Sequence, residues 1–212
     1  MTKKERVAGV LAALDAHYPH DDTCFLHYGA PYQLMIATIL SAQCTDARVN
    51  IVTEALFKQY PSIEAFSSAK QADMERAVHA TGFFREKAKN IIAAMQLLSA
   101  QYNGEMPSDI DELTKFPGVG RKTANVVRSH IFHLPSIVVD THVKRITYKL
   151  GLTKELDPVK VERDLMKILP KAHWIRYNTQ IITHGRAVCI AGRPRCEGCC
   201  LEAYCMKREI RR

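Results

Sequence analysis

Apolar residues recur at helical intervals along almost the whole chain, and caps and breakers punctuate the intervals. Val7, Val10, Leu11 and Leu14 predict a helix over 4–18. Pro31 stands at a first helical position, ahead of Leu34, Met35, Ile36, Ile39 and Leu40. That segment is apolar all round, so it is expected to be a buried helix. Thr45 or Asp46 can cap a helix running to Gln59, stopped by Pro61, and Ser62 and Asp73 can cap two short ones. Ala88, Ile91, Ile92, Met95 and Leu98 mark one face of a long helix over 85–102, with Gly104 as its stop. Ser108 is expected to cap a short helix ending near Phe116, and 121–130 reads as helix after a Pro117–Gly120 break. Asp140 or Thr141, then Asp157-Pro158, open two more helices, and a last one covers 174–185. Ile137-Val138-Val139 is the one strand-like run, too short for a sheet. Around ten helices joined by short loops make the expected fold class all-α.

Composition narrows the setting. An apolar share of 47% in 212 residues excludes a wholly disordered chain. No apolar run approaches the roughly 20 residues that span a bilayer, and the basic N-terminus leads into a polar amphipathic stretch. A soluble, intracellular protein is expected. The net charge of +8 fits nucleic acid, anionic lipid or an acidic partner. The seven cysteines are unevenly placed: Cys24 and Cys44 stand alone, and Cys189, Cys196, Cys199, Cys200 and Cys205 cluster near the C-terminus. Clustering in an intracellular chain points to metal or redox chemistry rather than disulfides.

Residues 113–124, LTKFPGVGRKTA, read as two short helices flanking a glycine turn. Gly118 and Gly120 can take positive φ and keep side chains out of the way. The backbone N–H groups of the turn and of the next helix then point outward together, at the positive end of a helix dipole, and can hold a phosphate oxygen. Arg121 and Lys122 add charge there, while Phe116 and Val119 anchor the turn to the core. This is the pattern of a helix-hairpin-helix motif, which grips the DNA backbone without reading sequence.

Lys122 sits in the first turn of its helix. If partly buried it has an accessible neutral amine, able to attack carbon and form a Schiff base; as a solvated lysine it would bind phosphate. Asp140, in VVDTH, is an N-cap, and a carboxylate so held is ionised and fixed in direction. Beside an amine nucleophile it can stabilise a developing sugar cation and relay a proton. The spacing Cys189-x6-Cys196-x2-Cys199-x5-Cys205 lets four thiolates converge on one centre, either Zn²⁺ or an iron–sulfur cluster. Cys200 is expected to point away from it. Arg193, Arg195 and the tail 207–212 would present basic surface to phosphate.

Together FPGVGRKTA, VVDTH, the cysteine tail and SAQCTD at 41–46 resemble the endonuclease III family, bacterial DNA glycosylases with AP-lyase activity in the helix-hairpin-helix superfamily. The resemblance covers nearly the whole chain. It implies two helical lobes with a DNA-binding cleft between them: a six-helix barrel with the hairpin over 24–134, and an iron–sulfur domain from 1–23 and 135–212. It implies Lys122 as the Schiff-base lysine, Asp140 as the catalytic aspartate, and Cys189, Cys196, Cys199 and Cys205 as ligands of a [4Fe–4S] cluster. Gln43 matches the residue that fills the gap left by a flipped nucleotide. Phe83 stands where an apolar wedge is often Leu. Gly118, Val119, Gly120, Arg121, Arg193 and Arg195 are the further expected DNA contacts. The implied activity is removal of oxidised pyrimidines from duplex DNA and β-elimination at the abasic site, by a monomer in the bacterial cytoplasm, associated with the nucleoid. Thr114 departs from the pattern, standing where some relatives have an acidic residue, and Cys44 and Cys200 lie outside it. Two other readings are a mismatch adenine glycosylase, which usually lacks the lysine and carries a further C-terminal domain, and a non-catalytic DNA-binding module with a zinc site.

Overall fold

A computed structural model describes residues 1–18 and 23–208. Glu209–Arg212 of the basic tail lie outside these residues. Among the described residues every regular element is helical. The α-helices are α1 (Lys3–His17), α2 (Pro31–Leu40), α3 (Asp46–Gln59), α4 (Ile63–Ser67), α5 (Gln71–Val78), α6 (Phe84–Tyr102), α7 (Ile110–Leu113), α8 (Arg121–Ile131), α9 (Thr141–Leu150), α10 (Pro158–Ile168) and α11 (Trp174–Ala187). Single 3₁₀ turns cover His79–Thr81, Lys171–His173 and Glu202–Tyr204. Among the described residues the 137–139 run forms no strand, and each of its residues packs as core.

The chain forms two compact units, Cys24–Leu134 and Met1–Thr23 with Pro135–Arg212. In the first, α2 is the central post: Leu34, Met35, Ile36, Ala37, Ile39 and Leu40 are all buried, as its all-round apolar pattern requires. Helices α3, α6 and α8 pack on it, and α4 and α5 pack on α6. In the second unit α11 packs on α9 and α1, around a core that includes Leu14, Ile146, Leu165, Tyr177 and Ile181. Gly9 of α1 lets the Tyr204 ring approach, since a Cβ there would sit 2.1 Å from its Cε1.

Local chemistry sets the helix starts. Thr2 and Glu5 form a reciprocal capping box on α1, and Thr45, not Asp46, caps α3. Two expected caps differ. Asp109 rather than Ser108 caps α7, because its Oδ1 accepts from both Asp111 N and Glu112 N, at 2.8 and 3.1 Å. Asp73 lies inside α5, behind an N-cap at Lys70; its carboxylate is in the first turn, where the helix dipole favours it, and pairs with Arg76.

Candidate active site

The hairpin is α7, a turn and α8. Phe116 and Val119 are buried, and Val119 N donates to the Phe116 carbonyl at 3.0 Å, closing the turn onto the core. Gly118 has φ +77°, and a Cβ there would lie 3.0 Å from Asn90 Cβ on α6, so both conformation and space demand glycine. Gly120 differs from expectation. Its φ of −90° and ψ of 177° are ordinary extended backbone, and a Cβ would meet nothing within 4 Å. It is the N-cap of α8, and its missing side chain leaves a bare helix N-terminus beside exposed Arg121 and Lys122. Lys122 is exposed rather than partly buried. Thr114 is exposed and donates to the Asp111 carbonyl.

Two loops of the same unit each hold an exposed residue in left-handed backbone. Gln43, between α2 and α3, has φ +52°. Phe83, the N-cap of α6, has φ +48° and is 68% exposed. Phe83 thus joins an exposed aromatic ring to a backbone conformation uncommon outside glycine.

Asp140 belongs to the other unit. It is the N-cap of α9 and half-buried, and its Oδ1 accepts from Val143 N at 2.7 Å. The cap fixes the direction of the carboxylate. Behind it, His142 packs on Gly185 of α11, and one guanidinium nitrogen of Arg145 reaches both His142 Nδ1, at 3.3 Å, and the Cys189 carbonyl, at 2.7 Å.

Cys189, Cys196, Cys199 and Cys205 line one cavity of about 380 Å³, open mouth included. Among the described residues no three His, Cys, Asp or Glu side chains converge on a single-ion site. Lys149, Arg195 and Lys207 line the same cavity, positive charge that suits several thiolates. Lys207 N donates to Cys205 Sγ at 3.3 Å, and His184 Nε2 lies 3.6 Å from Cys199 Sγ. His184 Nδ1 is 2.8 Å from the Tyr18 hydroxyl, and burial holds the imidazole pKa down to about 4. With Tyr18 donating to Nδ1, the neutral ring presents Nε2–H to the sulfur, the usual outer support of a thiolate ligand. Burial also pushes the Cys189, Cys199 and Cys205 thiols up, Cys199 to about 11, so a bound metal must displace protons there. Cys200 is not among the lining residues and bonds to Tyr18 instead. Arg193 is exposed and outside the lining.

Residues 36–171 match the model of the HhH-GPD superfamily base excision DNA repair protein. The chain is 50% identical over 205 residues to endonuclease III of Synechocystis sp., covering 96% of this chain and 93% of the relative. The chain belongs to the endonuclease III family. The Bacillus subtilis endonuclease III is 43% identical, covering 92% of this chain and 89% of that one. A solved non-covalent endonuclease III–DNA complex superposes with a TM-score of 0.92 at 41% identity, over 98% of this chain and 97% of that one. A trapped covalent endonuclease III–DNA intermediate superposes equally well. Within this endonuclease III framework, motif reading overlooked Tyr18, Arg145 and His184. For His184 a signal existed: with Trp174, Tyr177 and Ile181 it falls on the buried stripe of α11, an odd place for an imidazole without a polar partner.

Proposed function

We propose that this base-excision-repair glycosylase and AP lyase acts on oxidised pyrimidines in duplex DNA, with Lys122 as nucleophile and Asp140 as its charged partner. The observation that carries the reading is the exposed Lys122 in the first turn of α8, directly after the hairpin turn. The N–H groups opening α8 and the cation of Arg121 hold backbone phosphate. An oxidised pyrimidine stacks and pairs poorly, so extruding it costs less than the few kcal/mol a normal base requires. Gln43 and Phe83 occupy the gap it leaves.

The Lys122 amine attacks C1′ through its nitrogen lone pair. The C1′–N bond breaks, and its electron pair leaves with the base, which takes up a proton. Asp140 stabilises the cationic sugar and accepts a proton from the attacking amine. Ring opening gives the Schiff base; loss of a C2′ proton then forms the C2′–C3′ double bond and expels the 3′ phosphate. Hydrolysis returns the lysine.

The cysteine cavity is read as the seat of a [4Fe–4S] cluster, because four cysteines and the cations Lys149, Arg195 and Lys207 line one space. When bound, the cluster cross-links the 189–205 loop and fixes Arg195, and with it a basic surface for phosphate. Among the described residues no helix is long and apolar enough to cross a membrane. The proposed state is a cytoplasmic, nucleoid-associated monomer.

The test uses cluster-loaded protein, duplex DNA containing thymine glycol, and borohydride. A trapped adduct is expected, lost in Lys122→Ala with duplex binding kept; an active preparation that traps nothing overturns the mechanism. A colourless, zinc-loaded protein overturns the cluster assignment. If about 4–6 phosphates are neutralised, log K falls against log salt with a slope of roughly −4 to −5.

A further inference from the structure

Lys87 is a buried cation with a specific pair of acceptors. It lies on the core face of α6 and is 4% exposed. Its Nζ donates to the Leu40 carbonyl at 2.9 Å and to the Thr81 carbonyl at 2.8 Å. Both acceptors are carbonyls at the C-terminal end of a helical element: Leu40 closes α2, and Thr81 closes the His79–Thr81 3₁₀ turn. Such carbonyls lack an intrahelical partner and carry the negative end of the dipole, so an ammonium satisfies both at once. In a continuing helix Cys44 N would bond Leu40 O; here it bonds the Ser41 carbonyl instead, at 3.1 Å. Burial pushes the Lys87 pKa below the ordinary lysine value.

The residues just past each carbonyl give the contact its meaning. Three residues past Leu40 comes Gln43, and two past Thr81 comes Phe83, the exposed pair in left-handed backbone. Conformations of that kind persist only where the surroundings over-determine them. The main chain of Lys87 contributes as well: its N donates to the Phe83 carbonyl at 3.1 Å, setting the first turn of α6. One residue therefore bonds the base of the Gln43 loop, the base of the Phe83 loop and the Phe83 carbonyl itself.

We propose that Lys87 is a positioning residue that ties the Gln43 and Phe83 loops to a common strut, so that both side chains enter the DNA gap together. This rests on the proposed gap-filling role of Gln43 and Phe83. The Lys87 side chain is buried, with its ammonium on two main-chain carbonyls. Losing it leaves the hairpin and Lys122 unchanged but lets the two inserting residues drift. Misplacement of an ångström at such groups is enough to cost one or two orders of magnitude in rate.

Lys87→Met removes the donors at similar volume, and Lys87→Gln keeps an amide that can reach one carbonyl. Base extrusion is read from 2-aminopurine fluorescence beside a thymine glycol, in a Lys122→Gln background so that chemistry does not intervene. Turnover is read with Lys122 intact. The expected result is that Lys87→Met binds undamaged duplex within about twofold of the parent, while the fluorescence amplitude falls about fivefold and kcat about tenfold or more, KM changing little. Lys87→Gln should fall between. Parental extrusion and kcat in Lys87→Met overturn the assignment, as does an equal loss of undamaged-duplex binding, which marks a general core support. If Lys87→Met does not fold, Lys87→Gln carries the same readouts, and failure of both to fold also overturns it. Gln43→Ala and Phe83→Ala run in parallel. If neither changes extrusion, the gap-filling role fails; if they do and Lys87→Met does not, the strut alone fails.

Discussion

Gly185 on α11 lies so close to His142 on α9 that a Cβ at position 185 would sit 2.4 Å from the imidazole Nδ1. The imidazole has little room to retreat, since Arg145 holds it on one side and Ile146 Cδ1 is 3.0 Å from the same Cβ position. In a helix interior, alanine normally stabilises by about 1 kcal/mol over glycine. Here overpacking costs about 1–3 kcal/mol and outweighs that gain. Gly185→Ala is expected to lower Tm by several degrees in a thermal melt. Because His142 is two residues from Asp140, single-turnover base release should slow as well; an unchanged or raised Tm would contradict the packing.

Asp140 carries a structural and a proposed chemical role, which substitutions separate. Asparagine caps a helix as well as aspartate, so Asp140→Asn should leave urea stability within about 0.5 kcal/mol, whereas Asp140→Ala should lose about 1 kcal/mol. Both remove the carboxylate, and both should depress adduct formation strongly. Parental trapping rates in Asp140→Asn would reduce this residue to a cap.

The two hairpin glycines should respond differently. Gly118→Ala meets a left-handed φ and the Asn90 side chain together, and is expected to cost about 1–2 kcal/mol from backbone alone. Gly120→Ala meets neither and loses only the preference for glycine over alanine at an N-cap, about 0.5–1 kcal/mol. Its methyl would also cover the N-terminus of α8. Duplex binding in Gly120→Ala, by filter-binding titration, should weaken at a temperature well below the melt, where the variant is fully folded. Full affinity there would argue against phosphate at this helix end.

Asp15 of α1 accepts from Gln180 at 3.0 Å and faces Arg176 and His173, each at 3.3 Å. Burial opposes its ionisation, but the Gln180 hydrogen bond, the Arg176 guanidinium and the His173 ring prevail and hold its pKa below the usual aspartate value. A carboxyl whose folded pKa is depressed contributes stability that is complete above its unfolded value, near 3.8, and lost as pH falls through the folded one. Asp15→Asn is expected to cost about 1–3 kcal/mol at pH 7 in urea unfolding, with the difference from the parent shrinking below pH 4. A gap that persists undiminished at pH 2 would contradict the charged interaction.

Much of the helical layout was readable because each element is locally consistent. Pro31 pre-sets the first turn of α2, Asp157-Pro158 starts α10, and the all-apolar 34–40 run can only be buried. Errors arose where two neighbours offered the same chemistry. Ser108 and Asp109 are both good caps, and only the backbone path, which aims Asp109 at two N–H groups, selects one. Gly118 and Gly120 look alike in sequence, and only their φ angles show that one is required by conformation and the other leaves a surface bare.

Cap chemistry, apolar periodicity and short motifs are near-neighbour properties, so the sequence by itself determined the helical class, the family and the residue types available for chemistry. Lys87 is different in kind. Nothing within a few residues of it reveals that its ammonium meets Leu40, distant in the chain, and Thr81 at once, and an isolated lysine on an apolar face reads as a misfit. The pairing of His184 with Tyr18 and Cys199 is likewise a product of α11 packing beside α1. Buried polar groups must find partners, and those partners come from whatever element the core brings alongside, so only the tertiary structure decided them.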